Sequence, residues 1–176
     1  MDIANNPRIE GFASQLNSCG AHLKFVDLSH IHMTLKFLGD TKEEHVPKIR
    51  AVLEEGLKNM EPFKIELRGC GAFPSLNYIQ VIWIGALNAE MLGKIAFYLE
   101  DELEPLGYRR EKRGFSPHIT IARVKSARNM EQVKKLLREK CEESFGEQII
   151  DSVKLKKSEL TPRGPIYTTV EEVKLG

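Results

Sequence analysis

Two short stretches of the chain share one pattern. In Ile31-His32-Met33-Thr34-Leu35 and in Pro117-His118-Ile119-Thr120-Ile121, a histidine is followed two residues later by a threonine, with apolar residues between and after. On a strand, successive side chains point to opposite faces. His32 and Thr34 therefore share one face, while Met33 and Leu35 share the other; the same parity sets His118 and Thr120 against Ile119 and Ile121. If the two strands lie near each other, two imidazoles and two hydroxyls line one groove and can face a single phosphate. Histidine titrates near neutrality, so one ring can accept a proton while the other donates one. Threonine hydroxyls can hydrogen-bond phosphate oxygens and hold the phosphorus in line. This set suits phosphodiester chemistry without metal or other cofactor, with a bell-shaped pH dependence centred near neutrality. A zinc site is the sharper alternative, but each His-x-Thr supplies one ligand and no carboxylate or thiolate accompanies it. Arg123 lies three residues beyond Thr120, and strand parity places it with Ile119 and Ile121. It reaches the groove only if the strand bends or ends there.

The elements that must position these residues alternate between helical and extended patterns. Ile9, Phe12 and Leu16 predict a helix over about Asn5 to Asn17. Lys24 to Val26 and Ile31 to Leu38 read as strands, closed by a Gly39-Asp40 turn. Thr41-x-x-Glu44 has the form of a capping box before a stripe of Val46, Ile49, Val52, Leu53 and Leu57, with Pro47 awkward inside that helix. Phe63 to Leu67 and Tyr78 to Ile84 read as strands, and Gly71 to Asn77 as the loop between them. Asn88 is placed to cap a helix running to about Leu106, stopped by Gly107. A strand within Phe115 to Val124 follows, then a helix from Met130 to Phe145 ended by Gly146. Strands over about Ile149 to Leu160 and Ile166 to Leu175 flank a Thr161-to-Pro165 turn. The result is an α+β domain with two halves, each pairing strands with a covering helix.

Composition narrows the function classes. At 176 residues the chain has the length of a single domain, taken here as 1–176, and its 41% hydrophobic against 29% charged residues oppose disorder. Lys plus Arg is 26 and Asp plus Glu is 25, which disfavours a nonspecific duplex-DNA binder. Cys19, Cys70 and Cys141 lie far apart without a CxxC pair, so they are expected to be inert in a reducing cytoplasm. No stretch has the roughly 18 apolar residues of a membrane span, and Met1 to Pro7 lacks a signal-like apolar core. A soluble, unprocessed protein is expected.

The surrounding text is similar to that of a known family. His32-Met-Thr-Leu-Lys-Phe-Leu-Gly39, Gly71-Ala-Phe-Pro74, Tyr78-Ile-Gln-Val-Ile-Trp83, Phe115-Ser-Pro-His118-Ile-Thr-Ile-Ala-Arg-Val124 and Leu160-Thr-Pro-Arg-Gly-Pro-Ile-Tyr167 occur in order over nearly the whole chain. They resemble the two-histidine phosphoesterases, specifically the RNA 2',3'-cyclic phosphodiesterases, also described as 2'-5' RNA ligases. The resemblance implies a bilobal, pseudo-symmetric α+β fold, with two antiparallel-rich sheets lining a central cleft and helices on the outer faces. It implies hydrolysis of RNA 2',3'-cyclic phosphate ends to 2'-phosphate ends, with His118 as proton acceptor, His32 as proton donor, and Thr34, Thr120 and Arg123 on the phosphate. The expected partner is RNA with cyclic phosphate ends, tRNA halves among them, bound by a monomer. Neither DNA nor a membrane is expected. Two departures stand out. Such proteins usually carry a short apolar strand before an Asp-Ile pair, where this text opens at Met1-Asp2-Ile3, and Gln80 stands where relatives often have Arg.

Two other functions use the same residues. ATP-independent 2'-5' joining of RNA would put a ribose hydroxyl in place of water, and no GxxxxGK[ST] loop is present for an ATP-consuming ligase. An RNA-end-binding module without turnover would not need two titratable groups. Among the remaining residues, His30 is expected to support His32, and His22 and His45 to lie on the surface. Arg109-Arg110-x-Lys112-Arg113 and Lys154-x-Lys156-Lys157 are candidate guides for an RNA backbone. Phe37, Phe73, Tyr78 and Trp83 are candidates for stacking a base, with core packing expected of Phe37 and Trp83.

Overall fold

The computed structural model describes residues 1–3, 6–161 and 164–176. Its first helix, α1 (Pro7–Ser18), is set by its start and its stripe. The Asn6 side chain accepts from the Arg8 N–H at 2.9 Å, proline occupies the first helical position, and Ile9, Phe12, Ala13 and Leu16 are buried. The expected first residue of this helix, Asn5, lies outside the described residues. β1 (Leu23–Phe25) follows.

α2 (Val46–Leu57) starts later than the capping-box pattern suggests. Thr41 Oγ1 donates to the Gly39 carbonyl at 3.2 Å, and a 3₁₀ turn over Glu43–His45 leads into the helix. Pro47 falls in the first turn, where a missing N–H costs no helical hydrogen bond. β2 (Phe63–Ser75) and β3 (Tyr78–Leu87) form one long hairpin. The expected loop at 71–77 is mostly strand: Gly71 pairs with Trp83, Ala72 with Ile82 and Phe73 with Val81, and only Leu76-Asn77 turns. Gly71 reads as a loop residue, yet it is needed in the strand because a Cβ there would overlap the Trp83 indole.

α3 (Glu90–Leu103) has Ala89, rather than Asn88, at its cap position. Asn88 sits one residue earlier at φ 54°, and a 3₁₀ turn carries the chain on to Gly107. β4 (His118–Val124) precedes α4 (Met130–Glu139). The latter stops short of the expected Phe145 because the next inward positions after Val133 and Leu137 fall at Lys140 and Cys141. Phe145 instead belongs to β5 (Ser144–Ile150), fully buried with its ring 5.3 Å from that of Phe12, and Gly146 is a left-handed strand residue at φ 100°. β6 (Ser152–Thr161) and β7 (Gly164–Lys174) complete the chain; the centre of the expected turn, 162–163, lies outside the described residues.

Every strand pairing is antiparallel. One sheet has the order β1-β4-β3-β2-β5, and β6-β7 form a second, with the chain crossing between them at Asp151. α2 packs on α3 and β7, α1 on β5, and α4 on β2. The fold is thus α+β with two sheets and helices packed against them.

The segment 31–38 is the main departure from the expected elements. It is extended, but its ladder contacts are two isolated bridges, Asp2 to His32 and Met33 to Ile119. Residues 1–3 supply its other edge: Ile3 N–H donates to the Ile31 carbonyl at 3.0 Å, and Met33 N–H to the Met1 carbonyl at 2.9 Å. A side chain takes over where the ladder ends. The Lys36 side chain, only 3% exposed, pairs with Glu100 of α3 and donates to the Arg109 carbonyl at 2.9 Å.

Candidate active site

The two histidine motifs meet at one backbone bridge. Met33 and Ile119 pair antiparallel and are both buried, at 1% and 0% exposure. In an antiparallel register the residue before one partner faces the residue after the other. His32 thus takes its register position beside Thr120, and Thr34 beside His118, all four on the face opposite the Met33–Ile119 contact. Read from either strand, the order is histidine then threonine, so the bridge marks an approximate twofold axis.

Each histidine is oriented by the same local device. His32 Nδ1 lies 2.9 Å from the His30 carbonyl, and His118 Nδ1 lies 2.8 Å from the Ser116 carbonyl. A carbonyl only accepts, so Nδ1 carries the proton in both rings and Nε2 is left as the free site. An aromatic edge supports each ring from a hairpin. Tyr167 of β7 stands 4.7 Å from His32 at 67°, and Phe73 of β2 stands 5.0 Å from His118 at 81°. Among the described residues, neither Thr34 nor Thr120 has a hydrogen-bond partner for its hydroxyl.

The environment of His32 is electrostatically distinct. Burial lowers its pKa; the His30 carbonyl pulls the other way, while the terminal ammonium and Lys156 add to the lowering. Asp2 opposes them more weakly. It bridges His32 through the backbone and is itself paired with Lys154 at 3.0 Å and with Lys156. Burial works against the Asp2 carboxylate, yet the two lysines hold it down to about 2.

Arg123 is turned by a bulge. Trp83 of β3 pairs with Thr120 and Ile82 with Ala122, which leaves Ile121 unpaired. Ile121 and Ala122 are both fully buried, so the alternation slips by one residue and Arg123 joins the face of His118 and Thr120. The strand bends, as parity required if Arg123 was to face the groove.

Other expected residues sort differently. His30 is exposed and pairs with Asp27 at 3.3 Å, so its carbonyl rather than its ring supports the site. His45 is half-buried, not a surface residue, with Nδ1 2.9 Å from the Tyr108 hydroxyl. Phe37 is not in the core: it is 83% exposed at the edge of a cavity of about 390 Å³ shared with Tyr108 and Arg109. Trp83 is half-buried on the histidine face, its ring 5.3 Å from that of Phe73. Gln80 donates to the Tyr78 hydroxyl at 3.2 Å.

The basic clusters are partly spoken for. Lys154 and Lys156 engage Asp2, Lys157 pairs with Glu159 at 2.9 Å, and Arg110 pairs with Asp101 and Glu104. Burial pushes the Cys70 thiol up to about 12, which leaves it unreactive. Among the described residues, no three His, Cys, Asp or Glu side chains gather as ligands for a metal ion, and no helix is long and apolar enough to cross a membrane. Sequence reasoning missed Tyr167 and Lys36. Tyr167 lies within the motif text, but only the strand pairing shows which ring it meets.

Comparison with known proteins identifies the family. The family model described as the 2'-5' RNA ligase superfamily matches residues 6–158. An RNA 2',3'-cyclic phosphodiesterase of Methanothermobacter thermautotrophicus is 41% identical over 175 residues, which is 99% of this chain and 95% of that protein. One from Methanocaldococcus jannaschii is 38% identical, over 98% of this chain and 96% of its own. The crystal structure of TT0787 of Thermus thermophilus superposes with a TM-score of 0.75 at 29% identity, covering 94% of this chain and 92% of that one. A match spanning most of the chain, together with full-length relatives at this identity, means that the chain belongs to the 2'-5' RNA ligase superfamily.

Proposed function

We propose that the protein hydrolyses RNA 2',3'-cyclic phosphate ends to 2'-phosphate ends, at a metal-independent site made by His32, Thr34, His118 and Thr120. The observation that carries this reading is the Met33–Ile119 bridge, because it gives both His-x-Thr motifs one face and one axis. The names of the relatives, RNA 2',3'-cyclic phosphodiesterase, support the same activity.

The cyclic phosphate sits between the two Nε2 atoms. His118 takes a proton from water as the water oxygen bonds to phosphorus, and protonated His32 gives a proton to the 3'-oxygen as the P–O3' bond breaks. The 2'-oxygen keeps the phosphoryl group. Thr34 and Thr120 donate to nonbridging oxygens, and Arg123 offsets the charge that develops on them. This division of roles is carried over from the resemblance, and the environment of His32 suits it. A ring whose pKa is lowered by burial is a stronger acid once protonated. Residues 1–176 act as one domain with two pseudo-repeat lobes. Both motifs come from one chain, so a monomer suffices, and three free thiols suit a cytoplasmic setting.

Ligation is the second reading, favoured by the name of the matching family model. A ribose hydroxyl in place of water would join two RNA pieces, tRNA halves among them, through a 2'-5' linkage at the same site. Incubation with 2',3'-cyclic AMP, and separately with cyclic-ended RNA, in EDTA separates the readings. The expected product is the 2'-phosphate, unaffected by chelation. A 3'-phosphate product, or activity lost to EDTA and restored by zinc, would overturn the proposal. Joined RNA as the main product would favour ligation.

A further inference from the structure

Beside the motif, two cations stand together without an anion. Lys24 of β1 is directly across from Arg123 of β4. Cross-strand partners share a face, with Cβ atoms about 4.5–5.5 Å apart. On either side, the Leu23–Val124 and Phe25–Ala122 pairs pack on the core. Lys24 and Arg123 therefore project to the other face, the one that carries His118 and Thr120. Like charges placed directly opposite destabilise a sheet. Several cations elsewhere are neutralised, Lys36 by Glu100, Arg50 by Glu54 and Glu171, and Arg110 by Asp101 and Glu104. Among the described residues, neither Lys24 nor Arg123 has a carboxylate partner. The bulge at Ile121 is what creates the juxtaposition, since without it Arg123 would face the core.

The spacing identifies the anion. A strand rises about 3.3 Å per residue, so Arg123 lies roughly 7–10 Å beyond Thr120 along β4. Lys24 is level with Arg123 on the neighbouring strand. At that distance the long Arg123 side chain can reach back toward the phosphate held between the histidines, while Lys24 is placed for the next phosphate of the same strand. In an RNA ending in a cyclic phosphate, that group is the 5'-phosphate of the terminal nucleotide, the diester to its predecessor.

We infer that Lys24 forms a second phosphate subsite that holds the 5'-phosphate of the terminal nucleotide, with Arg123 lying between it and the reacting phosphate. The inference rests on the hydrolytic reading above and deepens it, because it makes the site prefer an RNA end over a cyclic nucleoside phosphate. Lys24 binds through charge and touches no reacting atom, so its contribution appears in KM more than in kcat.

Adenosine 2',3'-cyclic phosphate with and without a 5'-phosphate isolates this contact. Steady-state kinetics on the wild type, Lys24→Gln and Lys24→Arg give the ratio of kcat/KM for the two substrates. A charge-assisted contact predicts a wild-type preference of roughly tenfold to a hundredfold for the 5'-phosphorylated compound. That preference collapses in Lys24→Gln, returns in Lys24→Arg, and shrinks as salt is raised. An equal ratio in wild type and Lys24→Gln would overturn the subsite while leaving hydrolysis intact. Failure to turn over either substrate would instead remove the hydrolytic reading, and the subsite with it.

Discussion

The two histidines share one local geometry on differently built supports. His118 begins a strand paired along both edges, with β3 on one side and the 23–33 stretch on the other. His32 lies in an extended segment fastened by two single bridges, the 1–3 stretch, and the Lys36–Glu100 pair. Near-identical ring geometry on such unequal scaffolds teaches that the orienting device is local. In both cases the carbonyl two residues before the histidine fixes the ring, and that carbonyl needs no ladder of its own. What the scaffolds set is the placement of the motifs, by a continuous ladder on one side and by a few backbone bridges with a side-chain ion pair on the other.

The comparison can be broken first at the rings. His32→Ala and His118→Ala are each expected to cut turnover roughly 10²–10⁴-fold, the usual worth of a positioned acid or base. Near-full activity in either variant, read by hydrolysis of 2',3'-cyclic AMP, would remove that ring from the chemistry. The unequal scaffolds appear at Lys36. Breaking a buried pair from one side costs about 3–5 kcal/mol, so Lys36→Met should lower the denaturant midpoint and impair turnover together. Stability unchanged within error would show that the pair does not hold the 31–38 segment.

The hydroxyls give a smaller effect. Thr34→Val and Thr120→Val should each lose about 1.5–3 kcal/mol in kcat/KM, the value of one hydrogen bond to a charged group. Full efficiency in both variants would take the hydroxyls off the phosphate. The smallest effect is the titration of His32. Burial lowers its folded value, so its ring should titrate by NMR below the ordinary value of about 6.5. Below that ordinary value the unfolded chain takes up a proton that the folded ring resists. Stability contributed at this site therefore declines as pH falls from the unfolded value toward the folded one. A His32 midpoint above the ordinary value would contradict the role given to burial.

How much of this was legible depended on whether the signal was local. Parity along His32-Met33-Thr34 and His118-Ile119-Thr120 fixed which side chains are buried, and Met33 and Ile119 are. The bulge at Ile121 was not legible, because a bulge is a mismatch between two strands and Ile121-Ala122 looks like an ordinary strand sequence. Gly71 and Pro74 suggested a loop for the same reason: Gly71 makes room for Trp83, a neighbour distant in sequence. Nothing near Lys36 in the chain signals Glu100, which α3 brings beside it from 64 residues away. Phe37 reads as core by its type, yet the extended segment points it outward. Pairings across the sheet decided each of these.

The central claim is that His32 and His118 act as complementary acid and base in one site. The pH profile of kcat/KM for 2',3'-cyclic AMP in EDTA, measured on wild type, His32→Ala and His118→Ala, tests it most directly. The wild type should give a bell whose limbs belong to the coupled pair. His32→Ala should lose the fall at high pH, because the proton donor is gone, and His118→Ala the rise from low pH. A monotonic wild-type profile, or both limbs surviving in either variant, would contradict the two-histidine mechanism.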